Sequence, residues 1–568
     1  MPGRVNEGSP RFRYAPGDGQ AGEIRYGRRA VRVPDVPLPS ERQGASVLKE
    51  IKRVFKDSVI YGLGGLLPKV AGIVLVPIYT RFLLPADYGL MSLVSMITTM
   101  TGVVMMLGQN GSLTLFFRSS QAETSEDEVR SLLFSVVTFT LLFSGFVFAL
   151  LLVVGPALMP YLVRSGELTF DPYVIVGLAT ALFGIPLGLL QAVNRARGQA
   201  LTHTLFQLTN FTLNTGFTIW FVVALRQGGL GSLKGTLVAA ALLCPVALWL
   251  LAREMKPRFS APWLRKSVAF GLPLVPHYFA GWILTFADRY MLERLRSLTE
   301  VGLYSLAYNV SMVLNLVASS INQAWGPIYY DLAATEEGRA KLPRLTTVYA
   351  AAVTVAAMAY MLFARELLLL LAAAKYREAA GVVPIVAAGY YFFALYSVLS
   401  TGIFYAKKTK WVPLISAVAA AFNIGLNLWL MPAFGMWAAA WNTLAAYAVM
   451  ALVARIVSGR LVPGSFEDGR LLRLVGLFLA TFAGNFAIGA LPVGPVAAVG
   501  LKLVLLGLGL ASFAWLDIVT VAELRQVLDR IAARRRRPLP QDEAAAVEAQ
   551  AGEIGSADSD PKSGTTPV

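Results

Sequence analysis

The chain has 568 residues, 56% of them hydrophobic and 15% charged, with a formal net charge of +16 and a mean hydropathy of +0.59. That apolar share exceeds what a water-soluble domain can bury, so the composition is that of an all-α polytopic membrane protein; the basic residues alternate with apolar runs, which argues against nucleic acid as a partner. One cysteine, Cys244, and two histidines exclude a disulfide framework and the usual metal-ligand sets, and no cofactor motif is present.

Residues 1–45 are polar and rich in Gly, Pro and Arg, with no apolar h-region behind the first arginines. They read as a disordered cytoplasmic extension rather than a cleavable signal. In residues 46–57, Val47, Leu48, Ile51, Val54 and Phe55 recur at helical spacing among Lys49, Lys52, Arg53 and Lys56. This is the pattern of an interfacial amphipathic helix whose basic face meets anionic headgroups.

About fourteen apolar runs near the length needed to cross a bilayer follow. Six, at 59–82, 89–115, 131–158, 172–193, 204–225 and 233–252, form an expected N-lobe over 58–252. A cytoplasmic linker, 253–266, leads to an expected C-lobe over 267–457, with spans at 268–292, 301–330, 346–371, 381–406, 411–431 and 435–457. Two more spans, 471–491 and 496–518, lie in 458–520, and 521–568 reads as a disordered cytoplasmic tail. Loops on one side carry nineteen Lys and Arg against eight on the other, and the two tails add twelve and seven to the richer side. By the positive-inside rule both termini are expected in the cytoplasm.

The division into lobes rests on an internal echo. "SVIYGL" (Ser58 to Leu63) and "SVAFGL" (Ser267 to Leu272) open long spans 209 residues apart, Arg81 and Arg289 are 208 apart, and "DYGL" (Asp87 to Leu90) is answered by "EVGLY" (Glu300 to Tyr304). An even number of helices per repeat keeps the two lobes parallel, related by an axis along the membrane normal. Such lobes suit a transporter that opens a central cavity to one face and then to the other.

Charged residues inside spans are the candidate sites. Lys69 is the eleventh residue of the first span, about 15 Å of helix from its start, deeper than a lysine stem reaches by snorkelling. It reads either as a cation lining a cavity that binds a diphosphate or acidic sugar, or as part of an interfacial entry made by Gly62, Gly64, Gly65 and Pro68. Asp288 and Arg289, adjacent in "FADRYML", point about 100° apart and need not pair with each other. They read either as an interfacial anchor pair or as a site in which Arg289 binds substrate anion and Asp288 couples to an ion. Arg118, at the inner end of span two, is a second candidate for substrate phosphate or a positive-inside residue. His277 is a candidate proton carrier or a packed helix residue. Arg365 and Glu366 interrupt span nine and are expected to neutralise each other or a neighbouring helix.

With its spans in this order, the sequence resembles the Wzx-type lipid-linked oligosaccharide flippases, the polysaccharide transporter branch of the multidrug, oligosaccharidyl-lipid and polysaccharide (MOP) exporter superfamily. The residues that carry the resemblance are "VPIYTRFLLPADYGL" (Val76 to Leu90), "FGLPLVPHYFAGWILTFADRYML" (Phe270 to Leu292), "VGLYSLAYNVS" (Val301 to Ser311), "INQAWGPIYY" (Ile321 to Tyr330) and "KYREAAGVVPI" (Lys375 to Ile385). It extends over about residues 50 to 520 and implies a MOP/MATE-like fold of two pseudo-symmetric six-helix lobes plus two C-terminal helices. The resemblance also implies flipping of undecaprenyl-diphosphate-linked glycans from the cytoplasmic to the periplasmic leaflet of the bacterial inner membrane, without ATP. Polysaccharide polymerase and copolymerase are the partners it implies, and a monomer is expected. A cationic residue in the first helix, here Lys69, fits that family. The basic leader and acidic tail depart from its usual pattern.

Two other functions use similar materials. A membrane glycan polymerase or ligase handles the same lipid-linked substrates but presents a long periplasmic loop, and none is present. A cation-coupled multidrug exporter on the same fold would want carboxylates in the first lobe, whose spans hold Lys69 and no central Asp or Glu.

Overall fold

The computed structural model describes residues 23–26, 29–32, 75–123, 125–164 and 166–518, with backbone alone at 23–26, 29–32, 117–123, 162, 277, 280, 284, 323 and 324. The interfacial helix expected at 46–57, most of the first span with Lys69, and the tail expected at 521–568 lie outside the described residues. The leader, read as disordered, contains strands β1 (Glu23–Tyr26) and β2 (Arg29–Arg32), paired antiparallel with Glu23 opposite Arg32 and Ile24 opposite Val31.

The remainder is helical. α1 (Val76–Phe82) is the end of the first span. Span two is split into α2 (Pro85–Met106) and α3 (Gln109–Glu123), because Leu107 and Gly108 between them take φ of 47° and 72° and turn the chain out of the right-handed helix. α4 (Glu126–Leu162), α5 (Ile175–Ala196), α6 (Ala200–Ile219) and α7 (Gly228–Glu254) complete the first lobe.

The stretch expected as a linker ends early, since α8 begins at Ala261 with Pro262 in its first turn and runs to Gly271. A 3-10 turn, Leu272–Leu274, then separates it from α9 (Val275–Leu295), so span seven is broken as span two is. Pro273 and Pro276 remove the backbone donors that would carry one helix through this point. α10 (Leu298–Ala334) is capped by Ser297, whose hydroxyl accepts from Glu300 N at 3.2 Å, and α11 (Glu336–Leu371) by Thr335, which accepts from Gly338 N at 3.1 Å. α12 (Ala379–Tyr405), buried on all sides between α10, α11 and α13, is the central post of the second lobe. α13 (Trp411–Leu461) contains spans eleven and twelve, joined at Gly435 with φ 55° and ψ −134°. α14 (Asp468–Ala490) and α15 (Pro495–Trp515) flank α11 as the C-terminal pair.

Among the described residues, ten helices are long and apolar enough to cross a membrane, with the bent α13 counted once. The described helices follow the expected order, and the count of fourteen is not reached among the described residues, which leave out most of span one. The breaks shorten α8 and α9, and α6 carries His203, Gln207, Asn210 and Asn214. Large side chains such as Leu142, Val153, Leu370 and Val496 stand exposed around the outside, as lipid-facing residues do.

The internal repeat reappears as geometry. Gly89 on α2 and Gly302 on α10 are equivalent positions, 213 residues apart, and they meet: a Cβ on Gly302 would lie 1.8 Å from Pro85 O, and one on Gly89 2.1 Å from Leu298 O. One turn further along, the equivalent pair Ser92 and Ser305 are hydrogen-bonded at 2.9 Å. Residues touching their own counterparts are what a two-fold contact requires, so the pseudo-symmetry axis runs between α2 and α10.

A second equivalence, not visible as a sequence match, supports the same axis. Asp87 opens α2 and accepts from Gly229 N at 3.3 Å, beside Gly228 with φ 59°. Glu300 opens α10 and accepts from Met436 N at 2.9 Å, beside Gly435 with its φ of 55°. In each lobe an acid at the start of the second helix holds the turn before the sixth, and in each that turn needs a glycine.

Candidate functional site

The charged heart of the molecule is Asp288 on α9, where α9, α10 and α13 meet. Its side chain is 4% exposed, and its two oxygens accept three hydrogen bonds: Tyr304 OH at 2.9 Å and Thr443 Oγ1 at 2.7 Å on Oδ2, and Asn427 Nδ2 at 2.7 Å on Oδ1. Asn427 is oriented in turn, giving its other proton to Asn423 Oδ1 at 2.9 Å and accepting from Asn442 Nδ2 at 2.8 Å. A carboxylate taken out of water is tolerated only when donors replace the lost hydration, and here they come from α10 and from both arms of the bent α13. A buried carboxylate held by two hydroxyls and an amide is a group that can take up a proton, the hydroxyls turning to accept what they now donate.

Arg289, the next residue, is also 4% exposed and makes no ion pair with Asp288 among the described residues. Its Nε donates to Ser305 Oγ at 3.1 Å, a second nitrogen donates to Thr285 O, and its guanidinium lies 4.4 Å from the centre of the Tyr308 ring. Ser305 continues to Ser92. The buried cation thus rests on an aromatic face beside the seam between the lobes, rather than in the water-filled cavity expected for a substrate-binding arginine. The repeat equivalent of Asp288 is Thr80, buried and bound to Ala373 N at 3.1 Å. The acid is a property of the second lobe alone.

Beyond Gly89 and Gly302 the seam is held at the same end by Tyr376 OH donating to Leu83 O at 3.1 Å and Arg164 N donating to Glu293 Oε1 at 2.9 Å. At the opposite end, where both broken spans change direction, Gly108 lies against Gly271, and Ser267 donates to Gln109 Oε1 at 2.5 Å. The lobes therefore touch near both ends.

Between these contacts a cleft of about 390 Å³ opens, lined by Thr98 and Gly102 of α2, Asn110 of α3, Thr180 and Gly184 of α5, and Tyr278 of α9. No charged side chain of the described residues lines it. His277 immediately precedes Tyr278 on α9, and Arg118 lies two turns beyond Asn110 on α3; the side chains of both lie outside the described residues. Of the five residues singled out in the sequence, the structure thus brings Asp288 and Arg289 to one buried locus, puts His277 and Arg118 on helices bordering the cleft, and leaves Lys69 outside its described part. Asn423, Asn427, Asn442, Thr443 and Tyr304 were not singled out. The signal was present: two asparagines four apart inside the apolar run 411–431 share a helix face and need partners there.

At the distal edge, Glu366 on α11 pairs with Lys502 on α15 at 2.7 Å, and Lys502 also donates to Leu362 O at 2.9 Å. For Glu366 the structure takes the second expectation, neutralisation by a neighbouring helix.

Comparison with known proteins agrees with this architecture. The family model "Polysaccharide biosynthesis protein" matches residues 54–333, and the MatE model matches residues 273–429. A curated relative, Lsg locus putative protein 1 of Haemophilus influenzae, is 24% identical over 290 residues, which cover 49% of this chain and 66% of that protein, just short of two thirds of its length. Among solved structures, lipid II flippase MurJ in an inward closed conformation superposes with a TM-score of 0.65 at 12% identity, covering 81% of this chain and all of that one. A multidrug resistance MATE family transporter in an inward-facing conformation gives 0.56 at 14% identity, covering 73% of this chain and 95% of the other. These structural likenesses establish the fold. The two family models add that residues 54–333 are similar to polysaccharide biosynthesis proteins and residues 273–429 to MatE proteins.

Proposed function

We propose that the protein flips undecaprenyl-diphosphate-linked oligosaccharide units from the cytoplasmic to the periplasmic leaflet of a bacterial inner membrane, by alternating access of its two lobes coupled to a proton or another cation. The observation that carries this reading is the two-fold seam of Gly89 on Gly302 and Ser92 on Ser305, with a cleft beside it. Two parallel lobes meeting through small residues can rock about that line, exposing the cleft to one face and then the other. The family model for polysaccharide biosynthesis supports the choice of substrate.

In this reading the lipid tail stays in the bilayer, Lys69 and Arg118 supply positive charge for the diphosphate, Arg289, buried against Ser305 and Tyr308, joins them only if the seam opens during rocking, and Asp288, with His277, carries the coupling ion. Both termini lie in the cytoplasm, as the Lys and Arg count directs. The protein acts as a monomer that hands its product to a polysaccharide polymerase and copolymerase. A MATE-like drug exporter would use an acidic, cation-attracting cleft, and the described cleft has no carboxylate.

Deleting the gene should cause lipid-linked repeat units to accumulate on the inner leaflet, protected from glycan-modifying enzymes added outside spheroplasts. Accumulation on the outer leaflet would point to a polymerase or ligase, and no accumulation would remove the lipid-linked substrate from the account.

A further inference from the structure

The cleft has two walls with the same local sequence pattern. On α2 it is Thr98, Thr99, Gly102 and Val103; on α5 it is Thr180, Ala181, Gly184 and Ile185, and all eight face the opening. Positions i, i+1, i+4 and i+5 share one helix face, so each helix presents a threonine step above a glycine floor. The two glycines do not owe their place to close packing: a Cβ built on Gly102 or on Gly184 meets nothing within 4 Å. They contrast with Gly89 and Gly302, where a Cβ would collide with backbone. Here glycine keeps space empty.

The threonines of the two walls present acceptors to the cleft. Thr98 donates to Val94 O at 2.8 Å, Thr99 to Ser95 O at 2.8 Å, and Thr180 to Val176 O at 2.7 Å. Each hydroxyl proton is used within its own helix, so each oxygen faces the cleft as an acceptor. Asn110 adds a buried Oδ1 with no hydrogen-bond partner. A phosphate or carboxylate needs cationic donors and finds, beside the threonine acceptors, the neutral amide of Asn110 and hydroxyl of Tyr278, while a permanent cation finds no carboxylate to offset its desolvation. Sugar hydroxyls donate to such oxygens, and the apolar side chains of Val103, Met106 and Ile185 suit the C–H faces of a pyranose ring.

We infer that this cleft holds uncharged, hydroxyl-rich sugar rings of the headgroup, apart from the cations that hold its diphosphate, and that Gly102 and Gly184 set the size of glycan that passes. The inference rests on the flippase reading and adds to it a neutral glycan subsite with two named gauge residues. The volume of about 390 Å³ falls in the range of small-molecule sites, about 300–1,000 Å³.

The test uses the purified full chain in liposomes, with a lipid diphosphate carrying either one neutral sugar or a neutral tetrasaccharide, and the variants Gly102→Leu and Gly184→Leu. Because a Cβ is accommodated at both positions, the variants should fold and retain the wild-type melting temperature. Transport of the tetrasaccharide lipid should fall about tenfold or more, while the monosaccharide lipid moves at close to the wild-type rate. Asn110→Leu, which keeps the bulk and removes the acceptor, should cost both substrates about tenfold. Equal loss for both lipids in the glycine variants, or no loss for either, overturns the gauge assignment. Asn110→Leu at the wild-type rate overturns the hydrogen-bonding assignment. Wild-type protein that moves neither lipid defeats the flippase reading itself, an outcome distinguishable from both.

Discussion

Asp288→Asn is expected to reduce transport by roughly tenfold or more, the factor that about 1.4 kcal/mol provides, without preventing insertion or folding. The substitution keeps the shape of the side chain and removes its charge. In the native site both carboxylate oxygens accept, from Tyr304, Thr443 and Asn427. An amide turns one of those positions into a donor that faces another donor, and a buried polar group left without a partner costs about 1–3 kcal/mol. Arg289 also loses its neighbouring anion, although Ser305, Thr285 O and the Tyr308 ring still hold it. The decisive readout is the coupling: with Asp288→Asn, an imposed proton or sodium gradient should no longer accelerate flipping, whereas wild-type protein responds. An unchanged rate with an unchanged response to the gradient would separate Asp288 from transport and leave it a packing residue.

The second large effect is on stability. Lys502→Ala should destabilise the attachment of α15 by about 3–5 kcal/mol, since it strands Glu366 beside an apolar helix. Lys502 is 2% exposed, and its ammonium joins α15 to α11 through both Glu366 and the Leu362 carbonyl. Replacing both partners, as in Glu366→Leu with Lys502→Leu, should recover most of the loss, because a buried ion pair is often worth no more than the apolar pair that replaces it. Thermal unfolding of the single and double variants in detergent measures this. A double variant as unstable as Lys502→Ala would show that the pair does more than neutralise a buried charge.

Much of the architecture was legible in the chain because bilayer-length apolar runs and glycine-marked repeats are local signals. "DYGL" and "EVGLY" marked equivalent helix openings, and the structure adds that Gly89 and Gly302 touch each other. The breaks in spans two and seven were hidden because apolar content runs straight through Leu107 and through Leu272–Leu274, where positive φ and two prolines decide the path. Asp288 stood out as an acid in an apolar helix, yet its environment did not, since Asn427 and Thr443 arrive from α13 far along the sequence. The cleft was illegible for a similar reason: its threonines and glycines are ordinary in membrane helices and acquire meaning only when α2 and α5 face each other.

The central claim is that this chain moves lipid-diphosphate-linked glycans across a bilayer. It is tested most directly by reconstituting the purified protein in liposomes with a fluorescent undecaprenyl-diphosphate-linked glycan and following the fraction accessible to a membrane-impermeant quencher. The account predicts that accessibility passes the one-leaflet plateau of protein-free liposomes and rises toward completion, without ATP. Accessibility that stays at that plateau with correctly folded protein would contradict it.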